Sequence, residues 1–517
     1  MLSFFSTGDI LAILFFLSVI GTLLIGYPIA ITLAGTSLIF AVLGHTFGVF
    51  DYSILNGLPS RYLGSMTNEV LVAVPLFIFM GLILEKSGIA EALLTTMGQL
   101  FGKLRGGLAY SVIMVGALLA ASTGVVGATV VTMGLISLPA MMRAGYDHRV
   151  STGTICASAT LAQIIPPSTV LIFVGDILAG VNQAAQLRKG NFTPEPISVG
   201  DLFAGALIPG LIMVAMFMIW VTYKAVFQPE TVPALRMTDA ERAGLSRRVV
   251  VAFLPPLILI LLVLGSILLG FATPTESASV GAIGAMLLAA TNRRLSFDTV
   301  RYAAMNTMVT ASIVFVIVLA ASLFSLTFRG LGGEHMVEEA LKNIPGGAFG
   351  AMLAVMAIMF ILGFFLDTFE IILIMLPICG PPLIILGLDP VWLGVMIGVN
   401  LQTSFLTPPF GFTLFYMRGI APASVTTGMI WAGAIPFVCL QLMSLGLVWA
   451  FPATATWLPK YLFRQQAVVQ HGPPVAGTPT GSRPGLTGTG LGGAKAKFDE
   501  DGIPTEDDDP TGLSKKK

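Results

Sequence analysis

Charge is scarce in this chain. Of its 517 residues, 10% are Asp, Glu, Lys or Arg, where a soluble domain carries about 25%. Hydrophobic residues make up 55% and the mean hydropathy is +0.89. That balance excludes an ordinary soluble globular domain and points to an all-α polytopic membrane protein. The 27 basic and 27 acidic residues cancel, so no basic face is left for nucleic acid. Cysteine is scarce. Cys156, Cys379 and Cys439 lie far apart in apolar runs, which supports neither a disulfide nor a metal site; they read as small buried hydrophobes. The four histidines do not cluster and read as loop residues. With no Ser–His or Asp–Asp pair at membrane depth, an intramembrane enzyme is disfavoured, and no cofactor is expected. The N-terminus has no basic stretch and carries Asp9, so it reads as a retained first span rather than a cleaved signal.

What the chain does have is one membrane motif written twice. Gly106 to Ser168 runs as an apolar leg, Ser122-Thr123-Gly124, a second leg, Gly145-Tyr146-Asp147, an apolar helix, then Ile164-Ile165-Pro166-Pro167-Ser168. Gly346 to Phe410 runs as a leg, Asp367-Thr368, a leg, Gly387-Leu388-Asp389, a helix, then Leu406-Thr407-Pro408-Pro409-Phe410. Gly106 and Gly346 are 240 apart; Asp147 and Asp389, like Pro166 and Pro408, are 242 apart. The stretch after Gly26-Tyr27-Pro28 likewise echoes the one after Gly270-Phe271, with two extra residues in the second copy. The expected organisation is therefore a first repeat at 1–225, a polar cytoplasmic linker at 226–248 and a second repeat at 249–455. Each holds a hairpin (106–142 and 347–386) and a broken helix (150–179 and 391–417).

Each leg of the first hairpin has roughly 15 residues, about 22 Å of helix, against a hydrocarbon core of about 30 Å. That favours re-entrant hairpins over double crossings. Re-entrant hairpins also gather most Lys and Arg outside the tail on one side, leaving Arg61, Arg188, Lys189, Arg329 and Lys342 on the other. Such a bias marks the cytoplasmic face. The first copy then crosses an odd number of times, so the second is inverted and both termini are periplasmic. The segments 48–67, 90–104 and 334–342 read as interfacial helices. From about residue 465 the chain turns rich in Gly, Pro and Thr and reads as a disordered tail.

Backbone left unpaired in lipid is tolerated only where it is buried in protein or lines a cavity. Matching breaks in two halves therefore point to a transporter binding site. At Ser122-Thr123-Gly124 the outgoing helix offers N–H groups to an anion, and the incoming one offers carbonyls to a cation. Pro166-Pro167 removes two donors and frees carbonyls one turn earlier, and Ser168 adds an oxygen. Asp367 and Thr368 hold the second tip, with Thr403, Ser404 and Thr407 around Pro408-Pro409. The reading is two cation sites of the Na⁺ kind with a carboxylate-bearing substrate between them. Asp367, an ionisable residue within the membrane, is a functional candidate by default. Asp147 and Asp389 read as helix caps, Glu276 as a cap or a ligand, and Glu69 and Glu370 as weaker candidates.

Arg105-Gly106-Gly107, Ser122-Thr123-Gly124, Pro139-Ala140-Met141, Gly145-Tyr146-Asp147, the Pro166 and Pro408 breaks and Gly270-Phe271-Ala272-Thr273-Pro274-Thr275-Glu276 resemble the large membrane subunit of TRAP (tripartite ATP-independent periplasmic) transporters over roughly residues 5–455. The resemblance implies an elevator-type secondary transporter of the bacterial inner membrane, Na⁺-coupled import of an organic acid, a small four-helix membrane subunit and a periplasmic substrate-binding protein. It places Na⁺ and substrate at Ser122, Thr123, Gly124, Pro166, Pro167, Ser168, Asp367, Thr368, Thr407, Pro408 and Pro409. The chain departs from the family pattern in a polar insertion at 182–196 and in its long tail. A stand-alone dicarboxylate or anion carrier of similar architecture is the alternative.

Overall fold

The computed structural model describes residues 6–123, 126–235 and 244–471. Residues up to Ala467 form one compact unit. Every regular element among the described residues is helical. In the first half these are α1 (Thr7–Ile25), α2 (Ile29–Thr46), α3 (Leu58–Met66), α4 (Glu69–Lys86), α5 (Ile89–Phe101), the hairpin α6 (Gly107–Thr123) and α7 (Val126–Arg143), α8 (His148–Thr160), α9 (Thr169–Arg188) and α10 (Val199–Phe227). The second half has α11 (Leu245–Leu268), α12 (Pro274–Thr291), α13 (Phe297–Gly330), α14 (Gly333–Asn343), the hairpin α15 (Gly347–Leu362) and α16 (Thr368–Ile385), α17 (Pro390–Leu406), α18 (Phe412–Ile420), α19 (Thr427–Ala450) and α20 (Ala453–His471). Among the described residues nine helices are long and apolar enough to cross a membrane. Both outgoing hairpin legs, α7 and α16, are among them, while the incoming legs fall short. The outward surface is correspondingly apolar, with Ile25, Ile31, Ile219 and Ile258 exposed where lipid satisfies them.

The caps explain where these helices begin. Asp147 accepts from the Arg149 N–H at 2.7 Å, and Asp389 from Val391 and Trp392 at 2.9 and 3.1 Å, so both are caps as expected. Glu276 closes a capping box with Thr273, which is likewise its cap role. The helix pair of 52–66 and α4 bends by 49°.

Helix contacts follow one scheme in both halves. α2 packs on α13 and α12 on α4; α5 packs on α11 and α14 on α1. The outgoing hairpin leg α16 lies against α9, and α7 against α18; α8 packs on α19 and α17 on α10. With no hydrophobic drive between helices in lipid, close approach depends on small residues. A Cβ on Gly153 of α8 would lie 2.1 Å from the Gly433 carbonyl of α19, and one on Gly433 would lie 2.1 Å from the Arg149 carbonyl.

Several boundaries differ from the sequence reading. The second leg of the first broken helix, expected to end at 179, runs to Arg188. Half of the polar insertion at 182–196 is thus helix, because Ala184, Ala185, Gln186, Leu187 and Arg188 are good helix formers however polar. Asn182 Nδ2 donates to the Glu195 carbonyl at 3.2 Å and folds the remainder back. The tail boundary at 465 falls inside α20, where Trp457 stacks on Tyr461 at 5.5 Å and Lys460 meets Asp389 at 3.6 Å. Residues 472–517 lie outside the described residues. The histidines sit on helices, not loops: His45 ends α2, stacks on Tyr52 and bonds the Phe50 carbonyl at 3.1 Å. Cys156 and Cys379 are buried, but Cys439 faces outward from α19.

Candidate functional site

The two motifs meet around a cavity of about 580 Å³. Its walls come from five places: Glu85 near the end of α4, the first two turns of α7, Gln163 and Val170 on either side of the first break, Asp367 to Glu370 at the start of α16, and Phe405, Phe412 and Tyr416 around the second break. The tip of the first hairpin is seated by contact, since a Cβ on Gly127 would lie 2.9 Å from the Tyr416 ring. The second tip is seated from both sides. Phe369 packs edge-on to Phe173 of α9 at 5.2 Å, and Phe365 lies 5.3 Å from Phe410.

A hydrogen bond crosses from one motif to the other. Gln163 Nε2 donates to Thr368 Oγ1 at 2.8 Å, both residues buried. Gln163 Oε1 is buried without a donor. Glu85 accepts from Thr132 Oγ1 of α7 at 2.8 Å. Asp367 takes the N-cap position of α16, and Glu370, 5% exposed, follows within its first turn. Three carboxylates therefore face the cavity, and no Lys or Arg is among its described lining residues. The first turns of α7 and α16 add orphan N–H groups and the positive ends of their dipoles. Acidic side chains with helix N-termini make a site that suits cations and the carboxylates they neutralise.

The expected site residues divide into four groups. Asp367 and Thr368 line the cavity. Pro166 and Pro167 are joined by a cis peptide and are buried with Ser168; none of the three lines the cavity, and Ser168 closes the first break by donating to the Gln163 carbonyl at 3.0 Å. The second break does not reach the cavity through its polar residues. Thr403 donates to the Val399 carbonyl, Ser404 to Phe360 and Thr407 to Thr403, at 2.8, 2.7 and 2.7 Å. Pro408 and Pro409 share a second cis peptide, and Pro409 opens onto a separate cavity of about 320 Å³ beside Phe364 and Trp431. The break carbonyls expected to be free are largely taken: Thr413 donates to Phe405 and Gly411 to Thr407. Each of these hydroxyls still keeps lone pairs for a cation, since it serves its neighbour as a donor. Ser122 and Thr123 end α6; their side chains, and Gly124 entirely, lie outside the described residues.

Sequence reasoning missed Glu85, Thr132, Gln163 and Asp176. Asp176 sits within the apolar α9 and accepts from Nδ2 of Asn68, the N-cap of α4, at 2.7 Å. An acid inside the run Thr169–Gly180 was a legible signal. Glu85 was not, because beside Lys86 at a span end it looks interfacial.

Comparison with known proteins fits this architecture. The family model described as "Tripartite ATP-independent periplasmic transporter, DctM component" matches residues 16–454. The chain is 30% identical over 457 residues to the C4-dicarboxylate TRAP transporter large permease protein DctM of Rhodobacter capsulatus, covering 87% of this chain and 99% of that protein. It is 27% identical to the protein of the same name from Vibrio cholerae, covering 88% and 99%. It is 29% identical to the ectoine TRAP transporter large permease protein TeaC of Halomonas elongata, covering 86% and 98%. The crystal structure of the Alcanivorax borkumensis YdaH transporter shares the fold, with a TM-score of 0.57 at 14% identity over 79% of this chain and 89% of that one. Two break-bearing motifs around one cavity, on a scaffold of apolar helices that this family model spans almost end to end, make the chain a member of the TRAP transporter family, a multi-pass large permease component.

Proposed function

We propose that this permease imports an organic acid across the bacterial inner membrane, coupled to Na⁺, with a small four-helix membrane subunit beside it and a periplasmic binding protein delivering the substrate. The observation that carries the reading is the cavity lined by Glu85, Asp367 and Glu370 with no basic residue among its described lining. An organic anion entering beside unneutralised carboxylates is repelled in a low-dielectric site. Bound Na⁺ removes that repulsion, and the helix N-termini of α7 and α16 then hold the substrate carboxylate. Cation and anion thus enter together for an electrostatic reason.

The helix contacts support an elevator motion. The paired scheme of contacts supports two inverted repeats, with the hairpins and broken helices as one body and α1–α4 and α11–α13 as the frame. The scheme fails where these two bodies meet: α4 packs on α6 and α9, whereas α13 packs on α16 instead of their counterparts. Symmetric bodies joined asymmetrically are what an elevator caught on one side looks like. The Lys and Arg distribution supports periplasmic termini.

The test is uptake into vesicles, screened over organic acids with the cognate binding protein present. Na⁺-dependent accumulation supports the reading; uptake indifferent to Na⁺ overturns the coupling, and uptake without the binding protein selects the stand-alone carrier. The same lack of basic lining residues favours, as a second reading, a solute with a cationic group beside its carboxylate, and the same screen separates the two.

A further inference from the structure

One anion-compatible space lies away from the candidate site at the hairpin tips. A separate cavity of about 620 Å³ lies where three helix ends meet: the α4–α5 junction, the start of α11 and the end of α12. Arg247, Arg248 and Arg294 line it, and no Asp or Glu does among the described residues. Arg248 has an interaction of its own. Arg247 and Arg294 are exposed, and neither forms a salt bridge among the described residues. Gly88 starts α5 at φ +73° with no side-chain cap, leaving first-turn N–H groups at the same wall.

The opposite wall is apolar and leads into the bilayer. Val251, Ala252, Pro255 and Pro256 of α11 and Leu288 of α12 line it. Outward-facing Val251, Leu254, Ile258 and Leu261 continue the same strip along α11. The proline pair also denies the Val251 and Ala252 carbonyls their helical donors, so two acceptors stand beside the arginines. Guanidinium groups at a set of helix ends, carbonyls without their helical donors next to them and an apolar channel below match one ligand chemistry: a phosphodiester with hydrogen-donating head atoms and acyl chains. Basic pockets between membrane helices bind anionic headgroups in this way.

We propose that this groove is a binding site for an anionic phospholipid, with the phosphate at Arg247 and Arg294 and an acyl chain along the α11 face. A lipid there ties α5, which leads into the first hairpin, to α11 and α12.

The test uses the full chain reconstituted in phosphatidylcholine nanodiscs and titrated with phosphatidylglycerol, reading the unfolding midpoint and, by native mass spectrometry, the bound lipid. The midpoint rises with phosphatidylglycerol, and millimolar inorganic phosphate does not reproduce the rise. The double variant Arg247→Gln/Arg294→Gln needs roughly thirty-fold more phosphatidylglycerol for the same rise. Ala92→Trp keeps the arginines but fills the groove from exposed α5, and it also loses the bound lipid; it carries the test if the double variant does not fold. Arg301→Gln removes one charge outside the groove and titrates as the parent protein. The proposal is overturned if phosphate protects as well as the lipid does, which would mean a free anion, if extra phosphatidylcholine protects equally, if Arg301→Gln weakens binding as much as the double variant, or if both groove variants titrate unchanged.

Discussion

Gln402 Nε2 donates to Thr160 Oγ1 at 3.2 Å. The two residues are 242 positions apart, the same offset that relates Pro166 to Pro408. A residue that touches its own counterpart lies on the axis relating the two copies, so this bond marks the pseudo-two-fold of the proposed repeat. Equivalent contacts flank it. A Cβ on Gly116 would lie 2.7 Å from Ser158 Cβ, and the counterpart pair is bonded, Asn400 Nδ2 to the Met356 carbonyl at 2.9 Å.

Thr160 also accepts from Gln441 Nε2 at 2.9 Å, so one hydroxyl serves two buried amides. Thr160→Val keeps the shape, leaves the Gln441 amide without this acceptor at about 1–3 kcal/mol, and leaves Gln402 Nε2 with Met213 Sδ alone. Its unfolding midpoint in detergent should fall well below that of Thr22→Val, whose hydroxyl bonds only its own helix. Equal midpoints would remove the hub.

Asp367→Ala should abolish Na⁺-driven uptake while leaving insertion in the membrane intact. Gln163→Leu and Thr368→Val should each reduce uptake, and the double variant should be no worse than the poorer single one, because both break the same 2.8 Å bond. Additive losses would show that the two side chains act separately.

Asn68, the N-cap of α4, and Asp176 of α9 meet across the boundary between the proposed frame and the moving body. Cysteines at both positions, with the outward-facing Cys439 replaced by serine, should cross-link. Oxidation should then stop uptake and reduction restore it. Full uptake by the cross-linked protein would mean that α9 does not travel past α4.

Gly153→Leu should cost at least about 1–3 kcal/mol, since a side chain is forced into backbone. The carbonyl it meets belongs to Gly433 and has no rotamer to escape through. A melting point unchanged from the parent would contradict the close approach of α8 to α19.

Arg188 of α9 pairs with Glu334 and Glu338 of α14, and Lys342 bonds Glu338 at 2.7 Å. The Lys342 hydrogen bond holds the Glu338 carboxyl below the usual carboxylate range, with Lys342 and Arg188 charges adding to it. A depressed carboxylate stabilises above its unfolded value, about 4.3, and the effect fades as pH falls through the lower folded value. The His335 charge also acts on Glu338, so in a His335→Gln background a spin label at exposed Ala340 should have the same mobility at pH 6 and pH 8 and loosen only in acid. Arg188→Ala should loosen it at neutral pH. A mobility change centred between pH 6 and 8 would contradict this assignment.

The helical membrane architecture, the hairpins, the paired breaks and the Asp147 and Asp389 caps were legible along the chain. Each depends on local chemistry: apolar length, proline's missing donor, a carboxylate beside free amides. Which polar groups face one another was not. Thr403, Ser404 and Thr407 looked equivalent to Asp367 and Thr368 but turn back onto neighbouring carbonyls, while Gln163, Glu85 and Asp176 gain their partners from helices 47 to 205 residues away. Hydrogen bonds across helix interfaces depend on helix rotation and depth, which packing sets and linear spacing does not carry. That the helices break, and at which residues, is written in the prolines and hydroxyls of the chain; which of those breaks share a cavity comes from how the helices pack.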